Sequence, residues 1–514
     1  MSTIICDFMG DSYLEDIAEK LCSLRPAQFS HLLAHRKPSE EKKIGNLIFL
    51  DATQLYRHEN LSNCFSGLSI SSVNLEQSKQ LAECQTLFTS AFDRTAPIPN
   101  SAHYVHHLFW DLVGYYISFF NENKTVDSVL FDNTPHLPWD ICFFFVAKML
   151  NKKVVFLRKT GMRGYVYIDE DFRPNKGNWR IEYVGLVNPL KKVVKKVDFH
   201  PELKKLSFTI GQVDGMWPEQ INTKTGLFLK LKNILKRIGL ASVIRLAGVI
   251  LKKPLNNYSA ASQSSSQRTV LAGMNFVNKW NYINLYFSYV KALKSKIKLY
   301  NNLASNHLEL DKPFVYFSLH LQPERSTMPE GLIFDDQILA IRTLSEALPN
   351  GWKILVKEHP RQMQFDIRTT HGRSCLDYER LNGIDNVEIV PLDLSQRELV
   401  QKCKCTATIS GSVSWEGLLL GKPSLIFSEN WHSDCGGTFF ISSVEEAKDA
   451  FLKLTNISEN YVQSSLCTFI RDIHKYLINT ALNANHLRLF FNHKDESVAL
   501  NNISSAILQR LENK

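Results

Sequence analysis

Between Phe314 and Phe427 the sequence repeats one pattern: an apolar run of strand length, a polar turn, then a segment of helical length. Phe314-Val-Tyr-Phe-Ser-Leu319, Lys353-Ile-Leu-Val-Lys357, Asn386-Val-Glu-Ile-Val390, Thr406-Ala-Thr-Ile-Ser410 and Pro423-Ser-Leu-Ile-Phe427 are the strand candidates. Asp335–Leu348, Ser395–Cys403 and Val413–Leu420 are the helices between them. Strands that are apolar on both faces and alternate with helices require a parallel sheet covered on both sides. The expectation is therefore a doubly wound α/β domain.

The first half carries the same signature with wider spacing. Asn46–Asp51, Ser128–Asn133 and Lys153–Leu157 are short apolar runs, and Trp139–Leu150 and His103–Phe120 have helical length and apolar faces. A second α/β domain follows. About 150 residues per domain makes 514 residues two large units or three smaller ones. The boundaries read as an N-terminal domain 1–220, a connector 221–310, a second α/β domain 311–450 and C-terminal helices 451–514. Helical sequence resumes at Asn275–Tyr300, aromatic first and Lys-rich later.

Charge is unevenly spread. The chain has 60 Lys/Arg against 51 Asp/Glu, a modest excess that favours anionic partners only weakly. Residues 224–253, however, hold eight basic residues and no acid, with Leu and Ile between them. A solvated helical face is one reading; an interfacial helix on anionic lipid fits the Leu/Ile content better. Phe228 is the only aromatic there, too few for stacking on nucleic acid. The Ser/Gln-rich 259–269 that follows reads as a loop. The start carries Asp7 and Asp11 where a signal peptide is basic, and no apolar run reaches about 18 residues. The expected location is cytoplasmic. Ten cysteines lack zinc-finger or disulfide-scaffold spacing, so reduced thiols and no metal ligands are expected. Asp169-Glu-Asp171 has the form of a metal-binding DxD motif, but its polar context reads as a solvent-exposed turn.

Ligands of open α/β sheets collect at the C-terminal ends of the strands. Three segments place unusual polar groups there: Leu319-His-Leu-Gln-Pro-Glu324, Val356-Lys-Glu-His-Pro360 and Ile409-Ser-Gly-Ser-Val-Ser-Trp-Glu416. Ser410, Gly411 and Ser412 form a small polar turn entering a helix, where free N–H groups attract phosphate; Ser412 or Ser414 could equally be a plain helix cap. Pro360 ends the strand and leaves His359 extended, with Lys357 and Arg361 beside it. Glu416 could complement the helix dipole or a ligand. In the first half Asp132, Asn133, His136 and Asp140 follow a strand, suited to acid–base work or to capping the next helix. The turn is neither GxGxxG nor GxxxxGK[ST].

Taken in order, QPE, KEHP and SGSxxxE followed by GKPxxxF resemble the bacterial capsule polysaccharide biosynthesis family, which includes retaining β-Kdo transferases. The resemblance spans 311–430, and more weakly 131–136 and 163–172. A His-Pro element and a Ser-rich loop are shared with bacterial sialyltransferases. It implies a GT-B fold, with two Rossmann-like domains facing across a cleft, and a CMP-sugar donor on the C-terminal one. His359, with Pro360 and Lys357, would then meet the donor phosphate, Ser410, Gly411, Ser412 and Ser414 would form the phosphate loop, and Glu416 would approach the ribose or base. Gln322 and Glu324 match the QP element. Asp132, His136 and Asp140 become the catalytic candidates, with no metal and no resident cofactor. The implied activity moves Kdo or a related acidic sugar from a CMP-sugar onto a surface glycan or glycolipid, at the inner face of the bacterial membrane. A sugar-nucleotide epimerase of the same shape and a non-catalytic export factor are the competing functions.

Overall fold

A computed structural model describes residues 2–7, 12–34, 47–51, 68–95, 101–160, 162, 164–173, 279–305, 307–364, 372–480 and 493–512. The basic stretch 224–253 and the loop 259–269 lie outside them. The chain divides into two compact units, each an α/β sheet.

The first unit is built on β1 (Ser2–Asp7), β2 (Phe29–Ala34), β3 (Ile48–Asp51), β4 (Val126–Phe131), β5 (Lys153–Lys159) and β6 (Tyr165–Asp169). The order 3-2-1-4-5 is parallel, with β6 antiparallel at the edge. β1 is central because Ile4, Ile5 and Cys6 are buried on both faces. The helices are α1 (Ser12–Leu24), α2 (Leu75–Gln80), α3 (Ala82–Thr95), α4 (Ala102–Glu122) and α5 (Pro138–Met149). Ser101 caps α4 through the Tyr104 N–H at 3.1 Å. Pro138 starts α5, where its missing N–H costs nothing. α5 is apolar almost all round and buried from Pro138 to Ala147. Its Phe143 meets Tyr116 at 4.8 Å, Phe120 at 5.2 Å and Phe131 at 6.2 Å between ring centroids.

Among the described residues the second unit begins with α6 (Lys279–Leu303) and carries β7 (Phe314–Ser318), β8 (Lys353–Lys357), β9 (Val387–Ile389), β10 (Cys405–Thr408), β11 (Ser424–Ile426) and β12 (Thr438–Phe440). All pairs are parallel, in the order β12-β11-β10-β7-β8-β9. The chain builds outward from β7 on one side, then crosses to β10 and builds outward on the other. That is the doubly wound order, and it puts a topological switch point between the C-terminal ends of β7 and β10. In the first unit the equivalent point lies between β1 and β4. α7 (Gln337–Ala347), α8 (Cys375–Asn382), α9 (Gln396–Lys402), α10 (Ser412–Leu419), α11 (Val444–Leu454) and α12 (Glu459–Ile473) complete the unit.

The chain then returns to the first unit. β13 (Ile478–Asn479) pairs antiparallel with β6, and α13 (His493–Glu512) packs on α1. The segment 451–514, expected as one helical block, is thus divided: α11 and α12 stay with the second unit and residues from Ile473 belong to the first. β1, β2, β6, β12 and β13 are strands beyond those the sequence pattern predicts. The Asp169–Asp171 turn is not solvent-exposed. Asp169 pairs with Arg158 at 3.1 Å, Glu170 with Arg510 at 2.8 Å and Asp171 with Arg173 at 2.7 Å, and all three acids are buried. Burying a charge is tolerated only with such partners. Among the described residues no helix is long and apolar enough to cross a membrane.

Phe143→Ala would empty the centre of the aromatic layer in the first unit. The expected cost is about 3–5 kcal/mol, read as a lower urea midpoint with an unchanged slope; a loss under about 1 kcal/mol would show that the layer collapses onto the gap.

Candidate functional site

The switch point of the second unit is bridged by one buried imidazole. The Ser410 N–H donates to His320 Nε2 at 3.2 Å, and Thr408 Oγ1 lies 2.9 Å from the same nitrogen. Nε2 is therefore the acceptor, and Nδ1 carries the proton toward Ser326 Oγ at 3.1 Å. The Gly411 N–H donates to Thr408 Oγ1 at 3.2 Å. A Cβ on Gly411 would stand 2.6 Å from that oxygen and 3.1 Å from His320 Nε2, so only glycine fits. The loop after β7 and the turn after β10 are in this way one assembly.

The end of β8 joins it through a buried ion pair. Arg373 Nε lies 2.7 Å from Glu358 Oε2, with both side chains out of solvent. Tyr378 donates to Glu358 Oε2 and the His359 N–H to Oε1, each at 2.6 Å. Arg373 Nη2 donates in turn to the His320 carbonyl at 3.0 Å. His359 caps a short helical turn, its Nδ1 accepting the Arg361 N–H at 3.2 Å. The proton then sits on Nε2, which is left as a donor. Burial first, then the positive charges of Arg361 and Arg373, lower its pKa to about 4 against the pull of Glu324, so it donates as a neutral ring. Desolvation of its carboxyl would raise the pKa of Glu324, an exposed residue, but the nearness of His320, Ser326 and His359 holds it below its ordinary value.

The three segments singled out in the sequence therefore meet, though not every residue in them faces a ligand. Gln322 is structural: its N–H donates to Gln362 Oε1 at 2.7 Å, and its side chain binds Thr327 and the Asp335 carbonyl. The Lys357 ammonium, expected beside His359, is tied to the Leu394 carbonyl on the loop after β9. Each serine hydroxyl of the turn already donates within the protein: Ser410 to the Ser326 carbonyl at 2.7 Å, Ser412 to Glu416 Oε1 at 2.9 Å and Ser414 to the Gly411 carbonyl at 2.7 Å. With the N–H groups of Ser410 and Gly411 spent on His320 and Thr408, the turn offers an anion the N–H groups of Ser412 and Val413. These open α10 and have no intrahelical acceptor. The second oxygen of Glu416 accepts from Gln396 at 2.9 Å, and burial raises its pKa against both hydrogen bonds.

His432 is the residue that sequence reasoning missed most completely. It comes from the loop after β11, is buried against Trp415 and Trp431, and sets Nε2 2.8 Å from Ser414 Oγ. Since that hydroxyl donates to Gly411, the imidazole donates to it. Burial lowers the pKa of His432 to about 3.

In the first unit Asp132 sits at the other switch point, its N–H donating to the Cys6 carbonyl at 3.2 Å. His136 Nδ1 donates to the Thr134 carbonyl at 2.8 Å. Asp140 Oδ1 takes the Leu137 N–H at 2.5 Å, the work of a helix-capping acid. Among the described residues no three His, Cys, Asp or Glu side chains cluster as a metal site.

No family model and no curated protein matches the sequence. Solved structures do align with it. A UDP-GlcNAc 2-epimerase from Methanocaldococcus jannaschii, in complex with UDP-GlcNAc and UDP, is 11% identical with a TM-score of 0.21, covering 92% of this chain and 100% of its own. The β-Kdo 2,4-transferase KpsC from Thermosulfurimonas dismutans is 18% identical with a TM-score of 0.21, over 32% of this chain and 55% of its own. The wall teichoic acid polymerase TagF is 12% identical with a TM-score of 0.22, over 100% and 90%. The α/β assignment rests on the two sheets themselves rather than on these superpositions.

A buried neutral His432 gives a pH signature. Its pKa lies below the unfolded value of about 6.5, so only the unfolded chain gains a proton as pH falls from 6.5 toward 3. Its contribution to stability is complete above 6.5 and is lost at about 1.4 kcal/mol per pH unit below. Comparing wild type with His432→Gln cancels the other groups. The urea-derived stability gap between them should narrow from pH 7 to pH 5, and a constant gap would mean that His432 titrates normally.

Proposed function

We propose that the chain is a glycosyltransferase that moves an acidic sugar, Kdo or a related nonulosonate, from a CMP-sugar onto a surface glycan or its lipid-linked precursor. The observation that carries this reading is the neutral His359 Nε2–H, held at the same sheet edge as the first two N–H groups of α10. Neutral donors of this kind hold a phosphate without a metal and without a lysine. The likeness of the QPE, KEHP and SGSxxxE segments to capsule transferases supports the CMP-sugar class.

In this reading the Ser412 and Val413 N–H groups and His359 Nε2–H take the donor phosphate, and the Glu416–Gln396 pair faces the nucleoside. Negative charge grows on the phosphate as the glycosidic bond to the donor sugar breaks. Fixed donors that need no reorganisation stabilise that charge most. The first unit would hold the acceptor at its own switch point. With Asp140 occupied in capping α5, proton transfer to or from the acceptor hydroxyl falls to Asp132 or His136. Attachment to the anionic inner face of the membrane through 224–253 belongs to the same proposal.

CMP should raise the melting temperature where UMP and GMP do not; at a hundred times the dissociation constant the gain is about 2.7 kcal/mol. A shift with UMP alone would turn the donor class to UDP-sugars. Sugar-nucleotide conversion without any acceptor would make the chain an epimerase, and no shift with any nucleotide would leave a non-catalytic role.

His359→Ala removes one hydrogen bond to a charged group, about 1.5–3 kcal/mol, and so about 10- to 150-fold in donor affinity or turnover. Its melting temperature should change little, because Glu358 and not His359 binds the segment to the core. Unchanged turnover in the folded variant would make His359 a turn residue only.

A further inference from the structure

Fourteen Lys/Arg and no Asp or Glu occupy the positions from Gln220 to Leu308. The rest of the chain holds 46 Lys/Arg against 51 Asp/Glu, so the whole positive excess resides in this stretch. Its C-terminal part is α6. Lys291, Lys294 and Lys298 of α6 are all exposed, and spacing of three and then four residues sets them within an arc of about 60° on the helix. Leu293, Lys296 and Tyr300 face the other way and are buried.

That inner face is fixed to the donor loops. Tyr300 Oη accepts the Glu358 N–H at 3.1 Å and donates to the Val390 carbonyl at 2.6 Å. Lys296 Nζ donates to the Arg373 carbonyl at 3.3 Å, and burial lowers its pKa to about 8. One helix thus joins an outward row of lysines to the backbone that carries His359.

We infer that the Lys291–Lys294–Lys298 face of α6 docks on an anionic phospholipid surface and holds the donor site at a fixed height above it. The inference rests on the reading of the chain as a peripheral membrane protein, and it adds a second contact, on α6, to the one assigned to 224–253. Charge complementarity sets the sign of the partner. Eleven of the fourteen basic residues are Lys, compact and strongly hydrated charges suited to a diffuse anionic plane, whereas a glycan carboxylate is better matched by the planar fork of Arg. Trp280, Tyr282, Tyr286, Phe287 and Tyr289 precede the lysines in the sequence, the residue mixture of segments that lie at a bilayer interface.

The test is co-sedimentation of the full chain with phosphatidylcholine vesicles, with and without phosphatidylglycerol, at low and high salt. At about five-fold per lysine near an anionic surface, the variant K291Q/K294Q/K298Q should lose on the order of 100-fold in partitioning, and wild-type binding should fall as salt rises. The CMP-induced melting shift of the variant should equal that of wild type, which shows that it is folded. A second variant, K230Q/K232Q/K236Q/R237Q, separates the two contacts. If only the second variant loses binding, the peripheral reading stands and the α6 inference falls. If neither does, both fall, as they also do if neutral vesicles bind the wild type equally. Loss of binding to soluble polysialic acid with vesicle binding intact would make the α6 face a glycan surface and overturn the proposal.

Discussion

A carboxylate with no contact to solvent governs the second unit. Glu358 follows β8 and would be untenable there alone, since an unpaired buried charge costs several kcal/mol. Arg373, Tyr378 and the His359 N–H neutralise it from three directions. Losing any one partner of such a group is expensive, about 3–5 kcal/mol for a charged one. The consequence is positional. Arg373 also grips the His320 carbonyl and Tyr300 grips the Glu358 amide, so the ends of β7 and β8 and the helix α6 keep their relative places.

The economy of donors around this hub explains what the site can bind. Hydroxyls that look available in the sequence are spent inside the protein, that of Ser410 on the loop after β7 and those of Ser412 and Ser414 within the turn and its helix, and two of the turn's backbone N–H groups hold His320 and Thr408. In the proposed transfer the few donors left over are stationary, and stationary dipoles are the ones that lower a barrier. The lack of a lysine at this point has the same logic: the Lys357 ammonium is already used to hold the loop after β9.

The α/β character of both halves was legible because buried parallel strands carry it in their own composition, as Phe314–Ser318 and Lys353–Lys357 do. β1 was missed although it lies inside its sheet between β2 and β4, because its uninterrupted apolar run is only Ile4-Ile5-Cys6. β12 was missed because Thr438–Phe440 offers only three half-buried residues. His359 and the turn at Ser410–Ser412 were found because Pro and Gly punctuate them. His320 and Glu358 stood inside the motifs but gave no sign of burial, and Arg373 and His432 lie far from their partners in sequence. Their roles come from strand order, which brings loops after β7, β8, β10 and β11 to one edge. Asp169 and Glu170 read as exposed because their cations come from other elements, Arg158 from β5 and Arg510 from the last helix, α13; Asp171 has its own close by, Arg173.

That last helix has a consequence for how the protein is made. The first sheet is completed late, because β6 gains its outer neighbour from β13 and α1 is covered by α13, both synthesised after the second unit. Domains fold as units during synthesis at about 5–20 residues per second, so the second unit can close while the first still shows the apolar surface of α1. Chaperone binding to the nascent chain should centre on that uncovered helix and end once α13 has emerged to cover it.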